Sequence, residues 1–205
     1  MPSNADSADQ TREAQRQRIM DAARAVFARS GFHGASIQDI RAEAGMSAGN
    51  LYRYFPSKEA IIAAIAEADR LRIAGMFEEL DRAEDPVEGM MALARRFLEE
   101  MQDPQGSAMC AETMSEALRN PEMRAMFWDN MKDVQAGLAR ALRRGVETGQ
   151  VDPELDVGVA IRLLMALADG TMLHRALGPE MDRGTLMAQF ERMVRRFIAP
   201  RSSIP

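Results

Sequence analysis

Residues 18 to 61, RIMDAARAVFARSGFHGASIQDIRAEAGMSAGNLYRYFPSKEAI, constrain the fold more than any other part of the chain. Ile19, Ala22, Ala23, Val26 and Phe27 recur at the i, i+3, i+4, i+7, i+8 spacing of a helix that buries one face. Gly31 ends that helix where a left-handed residue costs little. Ser36 stands at an N-cap position before Ile37 and Ile40, and Ala44-Gly45-Met46 reads as a tight turn. Ser47 caps a second short helix that turns Leu51 and Phe55 inward, and Ser57 caps the helix after it. Two short helices across so tight a turn, backed by a third, are the plan of a helix-turn-helix unit. Such a unit holds its second helix in the major groove of DNA.

Phe27, Gly31-Phe32, Ser36-Ile37, Asp39-Ile40, Ala44-Gly45, Ser47, Gly49, Leu51-Tyr52, Tyr54-Phe55 and Ser57-Lys58-Glu59 together resemble the N-terminal DNA-binding domain of the TetR family of bacterial transcriptional regulators. The match covers about a fifth of the chain and fixes residue types at more than a dozen spaced positions. The resemblance implies a dimer that binds a double-stranded DNA operator and answers to a small-molecule effector. Two departures stand out. Arg41 occupies a position where helix-turn-helix units often place a small residue, so either the packing is looser there or Arg41 reaches out toward DNA. Ala35 stands where the family often has Thr, one hydroxyl fewer.

Charge is distributed unevenly. Residues 12–58 carry 8 basic and 4 acidic side chains, while residues 59–205 carry 18 basic and 25 acidic, within a net charge of −5. A basic head on an acidic body is what phosphate attraction at one end requires. Only Lys58 and Lys132 are lysines against 24 arginines, which makes a lysine at position 58 more informative than any single arginine.

The rest of the chain reads as helices punctuated by caps. Helices are expected over 57–82, from Asp85-Pro86 through Met101, over 107–119, from Asn120-Pro121 to about 147, from Asp152-Pro153 to about 177, and over 183–198. Gly149 and Gly178-Pro179 mark two of the breaks. Aromatic content is 5% and alternating β-branched runs are almost absent, so the expected class is all-α, with about nine helices. The expected organisation is a disordered tail over 1–11, a helix-turn-helix domain over 12–58, and a ligand-binding and dimerisation domain over 59–205. No stretch of 18 apolar residues occurs and MPSNADSADQ is polar, pointing to the cytoplasm and away from any membrane. One cysteine, Cys110, rules out an intrachain disulfide and a cysteine-rich zinc site, two histidines, His33 and His174, leave little material for a metal site, and neither cofactor nor catalytic residue is expected.

Roles within the head follow from chemistry and from the resemblance. Ser47 and Gly49 open the recognition helix, whose backbone N–H groups can meet a phosphate. The resemblance implies backbone contacts for Tyr52, Tyr54 and Lys58, which position the helix without reading sequence. Ala48, Asn50 and Arg53 are candidates for base edges: Ala for a thymine methyl, Asn for adenine, Arg for guanine. Ser36, Gln38 and Arg41, at the preceding helix, complete the candidate interface.

In the body, 14 of the 17 methionines lie after residue 58, and Met suits a pocket open to several apolar ligands. Phe97, Met114, Trp128, Met131 and Met165 are candidate lining residues, with Asp169, Thr171 and His174 as polar anchors. The stretch Leu163-Leu164-Met165-Ala166-Leu167-Ala168 is apolar around its whole circumference, so its helix needs cover on more than one side. A second face wants either a partner or burial as the central helix of a monomer. The TetR resemblance implies the partner, a second copy pairing through this helix and the striped final one in a four-helix bundle, which makes Leu163, Leu167, Gly170, Leu186, Phe190, Met193 and Phe197 the candidate homodimer interface. The expected function is a ligand-responsive dimeric repressor released from a palindromic operator by a small apolar or amphipathic molecule. A ligand-independent DNA-binding activator or architectural protein is the alternative, and an all-helical enzyme a more distant one, for want of a catalytic constellation.

Overall fold

The computed structural model describes residues 4–100, 103–178 and 182–201, with side chains from residue 10 onward. Met101 and Pro179, each named above, lie outside the described residues. Among the described residues nine helices run α1 Asn4–Gly34, α2 Ile37–Glu43, α3 Ala48–Tyr54, α4 Lys58–Arg82, α5 Pro86–Glu100, α6 Pro104–Arg119, α7 Pro121–Glu147, α8 Val157–Leu177 and α9 Arg183–Ile198. No strand occurs among the described residues.

Three starts differ from expectation. Helix α1 begins at Asn4, inside the segment expected to be a disordered tail, because nothing between residues 4 and 30 is Pro or Gly and the run is rich in Ala, Arg and Gln. Helix α6 begins at Pro104, not 107. Asp103 caps it, its Oδ1 accepting from Gln105 N at 3.2 Å, and Pro104 takes the first helical position. Helix α8 begins at Val157, not at Asp152-Pro153. Val151 is fully buried and Asp152 N donates to Ile198 O at 2.8 Å, so the chain is fixed there in a turn. Asp156 then caps α8 by accepting from Val159 N at 3.0 Å.

Two compact units result, and each interrupts the chain. The first comprises residues 1–70 and 108–126, the second 71–107 and 127–205. The expected boundary after residue 58 therefore does not coincide with the division by packing. In the first unit Ile19, Ala23, Val26 and Phe27 of α1 meet Ile40, Leu51 and Phe55, and the same core takes in Ile61 and Ile65 of α4 and Met109 of α6. With α2 and α3 only seven residues each, the head by itself buries little surface, and Ile61 and Ile65 of α4 and Met109 of α6 add apolar side chains to it. In the second unit Phe77 and Leu80 pack with Met90, Met91 and Leu98 of α5, Leu142 of α7, Ile161 of α8 and Phe190, Val194 and Ile198 of α9.

Candidate nucleic-acid interface

The turn between α2 and α3 is built by its backbone. Gly45 has φ 61°, a left-handed conformation that L side chains rarely adopt, and it bends the chain so that Gly45 N donates to Ala42 O and Met46 N to Arg41 O, each at 3.1 Å. These bonds satisfy the last carbonyls of α2 while Met46 folds onto the core of the first unit. Ser36 and Asp39 cap the other end reciprocally. Asp39 N donates to Ser36 Oγ at 3.1 Å, and Ser36 N donates to Asp39 Oδ2 at 3.0 Å. The Ser36 hydroxyl also donates to Asp39 Oδ2 at 2.6 Å, so its proton is already committed. These bonds from Ser36 hold the Asp39 carboxyl below the usual carboxylate range.

Helix α3 is sorted by face. Leu51 and Phe55 are buried, anchoring it, and Tyr54 is half-buried against the same core. Ser47, Ala48, Gly49, Tyr52 and Arg53 face solvent, with Asn50 at the margin. A Cβ built on Gly49 would meet nothing within 4 Å, so that end of the helix is open to close approach. The Arg53 guanidinium donates to Asn50 Oδ1 at 2.9 Å and to Tyr54 Oη at 3.2 Å, and lies 5.2 Å from the centre of the Tyr54 ring. Asn50, Arg53 and Tyr54 thus form one hydrogen-bonded group, with a planar fork of donors held at the surface. Gln38 of α2 is exposed and Arg41 half-buried.

Lys58 has an additional role that the sequence reading did not anticipate. Its ammonium donates to Phe32 O at 2.6 Å and to Ala35 O at 3.0 Å, closing the C-terminal end of α1 from the first residue of α4. A cation on the last carbonyls of a helix also complements its dipole. Two of the three N–H groups of the ammonium are taken by these carbonyls. Two carboxylates of α6 at the same end of α1 were also not anticipated. Glu112 Oε1 accepts from Phe32 N at 2.8 Å, beside the kink at Gly31, where φ is 67°. Buried Glu116 meets His33 Nε2 at 3.0 Å and accepts from Arg119 at 3.2 Å. Burial pushes the Glu116 carboxyl up, but Arg119 and His33 outweigh it and hold it below the usual range. The only sequence signal was an i, i+4 pair of carboxylates on a helix face shared with apolar Met109.

The body candidates do not all fall in one unit. Met114 belongs to the first; Phe97, Trp128, Met131, Met165 and Asp169 belong to the second. Phe97 and Met165 pack against the core of the second unit, whereas Trp128 is half-exposed, its ring 5.6 Å from that of Phe127. On α9 the face assignment changes. Phe190 is 5% exposed and packs with Val194 and Ile198 inside its own chain, while Met193 and Phe197 stand out at 57% and 41%. Phe190 is therefore a core residue and not part of an outer surface. Inward positions follow 190, 194 and 198, and the sequence stripe had merged them with their outward neighbours. Leu167 likewise packs against the core, Leu186 and Gly170 are partly buried, and Leu163 is 52% exposed.

A backed helix-turn-helix whose second helix turns Ala48, Asn50, Tyr52 and Arg53 outward defines a DNA-binding protein. Comparison with known proteins agrees in both halves of the chain. Residues 19–65 match the family described as bacterial regulatory proteins, tetR family, and residues 83–188 match the tetracyclin repressor-like C-terminal domain. The HTH-type transcriptional regulator UidR of Escherichia coli is 32% identical over 166 residues, covering 77% of this chain and 79% of that one. The HTH-type transcriptional repressor AcnR of Corynebacterium glutamicum is 26% identical over 163 residues, covering 80% and 82%. The structure of Salmonella enterica GusR superposes with a TM-score of 0.74 at 28% identity, covering 90% of this chain and 95% of that one. The chain belongs to the TetR family of bacterial transcriptional regulators.

Proposed function

We propose that this regulator is a homodimeric repressor, bound to a palindromic operator in the cytoplasm and released by a small apolar or amphipathic molecule. Its work is binding, with no catalytic step. The observation that carries the reading is the solvent-facing ribbon of α3, in which the Asn50–Arg53–Tyr54 group holds base-reading donors at the surface of a rigid head. A single such helix reads few base pairs, and a twofold copy doubles the site, with the two recognition helices about 34–36 Å apart. The uncovered apolar side chains of α8 and α9 supply a surface for that copy. Repression has support in the name of the AcnR relative. For the effector, Phe97 and Met165, half-buried on a methionine-rich core, are the residues we assign to the wall of its site.

Selection of bound sequences from random duplexes should enrich two half-sites related by inversion and centred about one DNA turn apart. Titration of the selected operator against apolar and amphipathic compounds should find one that lowers operator affinity by roughly 5- to 150-fold, and operator should lower affinity for that compound by the same factor. Tight binders that leave operator affinity unchanged would instead support the ligand-independent alternative.

A further inference from the structure

Arg53 stands exposed on the recognition helix, and its partners set it apart from its neighbours. Elsewhere in the first unit arginines meet carboxylates: Arg24 lies 3.0 Å from Asp69, and Arg29 lies 2.6 Å from Glu43. Arg53 has no carboxylate partner among the described residues and is held by two neutral oxygens instead. A carboxylate would neutralise the guanidinium and compete with DNA for it. Neutral oxygens orient the planar fork and leave its charge in place.

The groups that hold Arg53 differ in firmness. Tyr54 is half-buried on the core of the first unit, so packing fixes its ring and with it the hydroxyl. The hydroxyl oxygen accepts from Arg53 Nη2 at 3.2 Å, and the ring centre lies 5.2 Å from the guanidinium carbon. Asn50, one turn earlier, accepts at Oδ1 from the same nitrogen at 2.9 Å. Arginine has no acceptor, so the Asn50 atom that meets it must be the oxygen, and the amide nitrogen faces away. Nη1 and Nε of Arg53 have no partner among the described residues and remain for DNA. A free surface arginine loses rotamer freedom when it meets a base, and a guanidinium already held loses less.

Resting on the base-reading role given to Arg53 above, we infer that Tyr54 is a positioning residue for sequence reading. Its hydroxyl sets the orientation in which Arg53 offers Nη1 to the N7 and O6 acceptors of a guanine. The family resemblance gives Tyr54 only a phosphate contact, which anchors the helix without reading sequence. The bond to Arg53 adds a second task, carried out through the neighbouring side chain. Tyr52, on the other side of Arg53 in sequence, is 52% exposed and has no hydrogen bond to it among the described residues. The two tyrosines of α3 therefore divide: Tyr52 anchors, and Tyr54 also governs which base is preferred.

The test uses the full chain on its selected operator and on the single-base variants of that operator. Tyr54→Phe keeps the ring and removes only the hydroxyl. At the base pair where Arg53→Ala flattens preference, it should lower discrimination roughly 3- to 10-fold, the net worth of one hydrogen bond, while discrimination at the other pairs stands. Tyr52→Phe should weaken all variants alike. Arg53→Lys keeps the charge without the fork, and should lose discrimination at the same pair with the salt dependence unchanged. In an Arg53→Ala background Tyr54→Phe should have no further effect on preference, because a positioning group then has nothing to position. A Tyr54→Phe variant that weakens every sequence alike, or that still shifts preference when residue 53 is alanine, overturns the positioning role while the regulator reading stands. So does an Arg53→Ala variant that flattens no pair, since Arg53 then reads no base. A wild type that selects no operator at all overturns the regulator reading itself.

Discussion

Lys58 sits where two demands meet. Its ammonium closes the carbonyls of Phe32 and Ala35, and the family resemblance implies a phosphate contact from the same group. Lys58→Met leaves two half-buried carbonyls without a donor, and we expect a loss of head stability of about 1–3 kcal/mol, read as a shift in the urea midpoint. Binding to every DNA sequence should weaken together. Arg53→Ala should behave differently. It should cost on the order of 1–3 kcal/mol at one base pair of each half-site and flatten preference there, as read by competition among single-position operator variants. Uniform weakening across positions would make Arg53 a phosphate contact. Arginine habit in this chain made Arg53 ambiguous in sequence, and only its bonds to Asn50 and Tyr54 separate it from a solvated side chain. The recognition helix, its caps and its turn were legible because Ser36, Gly45 and Ser47 act on their own neighbours. Lys58 closing α1 and Glu112 against Phe32 N were not, since those contacts span 26 and 80 residues and leave no local pattern.

Helices α5 and α9 are joined by charge as well as by core packing. Arg95 donates to Glu88 at 2.6 Å and to Glu191 at 2.5 Å, while Arg195 of α9 donates back to Glu88. The Arg95 and Arg195 hydrogen bonds hold the Glu88 carboxyl below its ordinary 4.5. A carboxyl with a depressed folded value stabilises the protein in full above the unfolded value and loses that contribution as pH falls through the folded one. Stability should therefore drop below about pH 4.5, and Glu88→Gln should make that acid limb shallower while leaving stability near pH 4 closer to wild type, measured by thermal melts across pH. The inward and outward faces of α9 give a second comparison. Phe190→Asp buries a charge in the core and should unfold the second unit, whereas Phe197→Asp should leave helix content unchanged and weaken self-association. Circular dichroism and sedimentation separate the two. Sequence periodicity identified this stripe but could not divide it, because Phe190, Met193, Val194, Phe197 and Ile198 are all apolar and only the packed neighbours decide which are covered.

At the scale of the whole molecule, the uncovered side of α8 has a consequence for how a cell would use the protein. If that face finds its cover only in a second copy, the species that binds an operator is made by a bimolecular step. Below the dissociation constant of the pair, its concentration then rises with the square of the number of chains. Halving expression would cut operator occupancy about fourfold in that regime, while well above it the same change would pass almost unnoticed. The leucines and alanine along α8 would thus set a dosage threshold, one that a single substitution at Ala166 or Gly170 could move without altering a single contact to DNA.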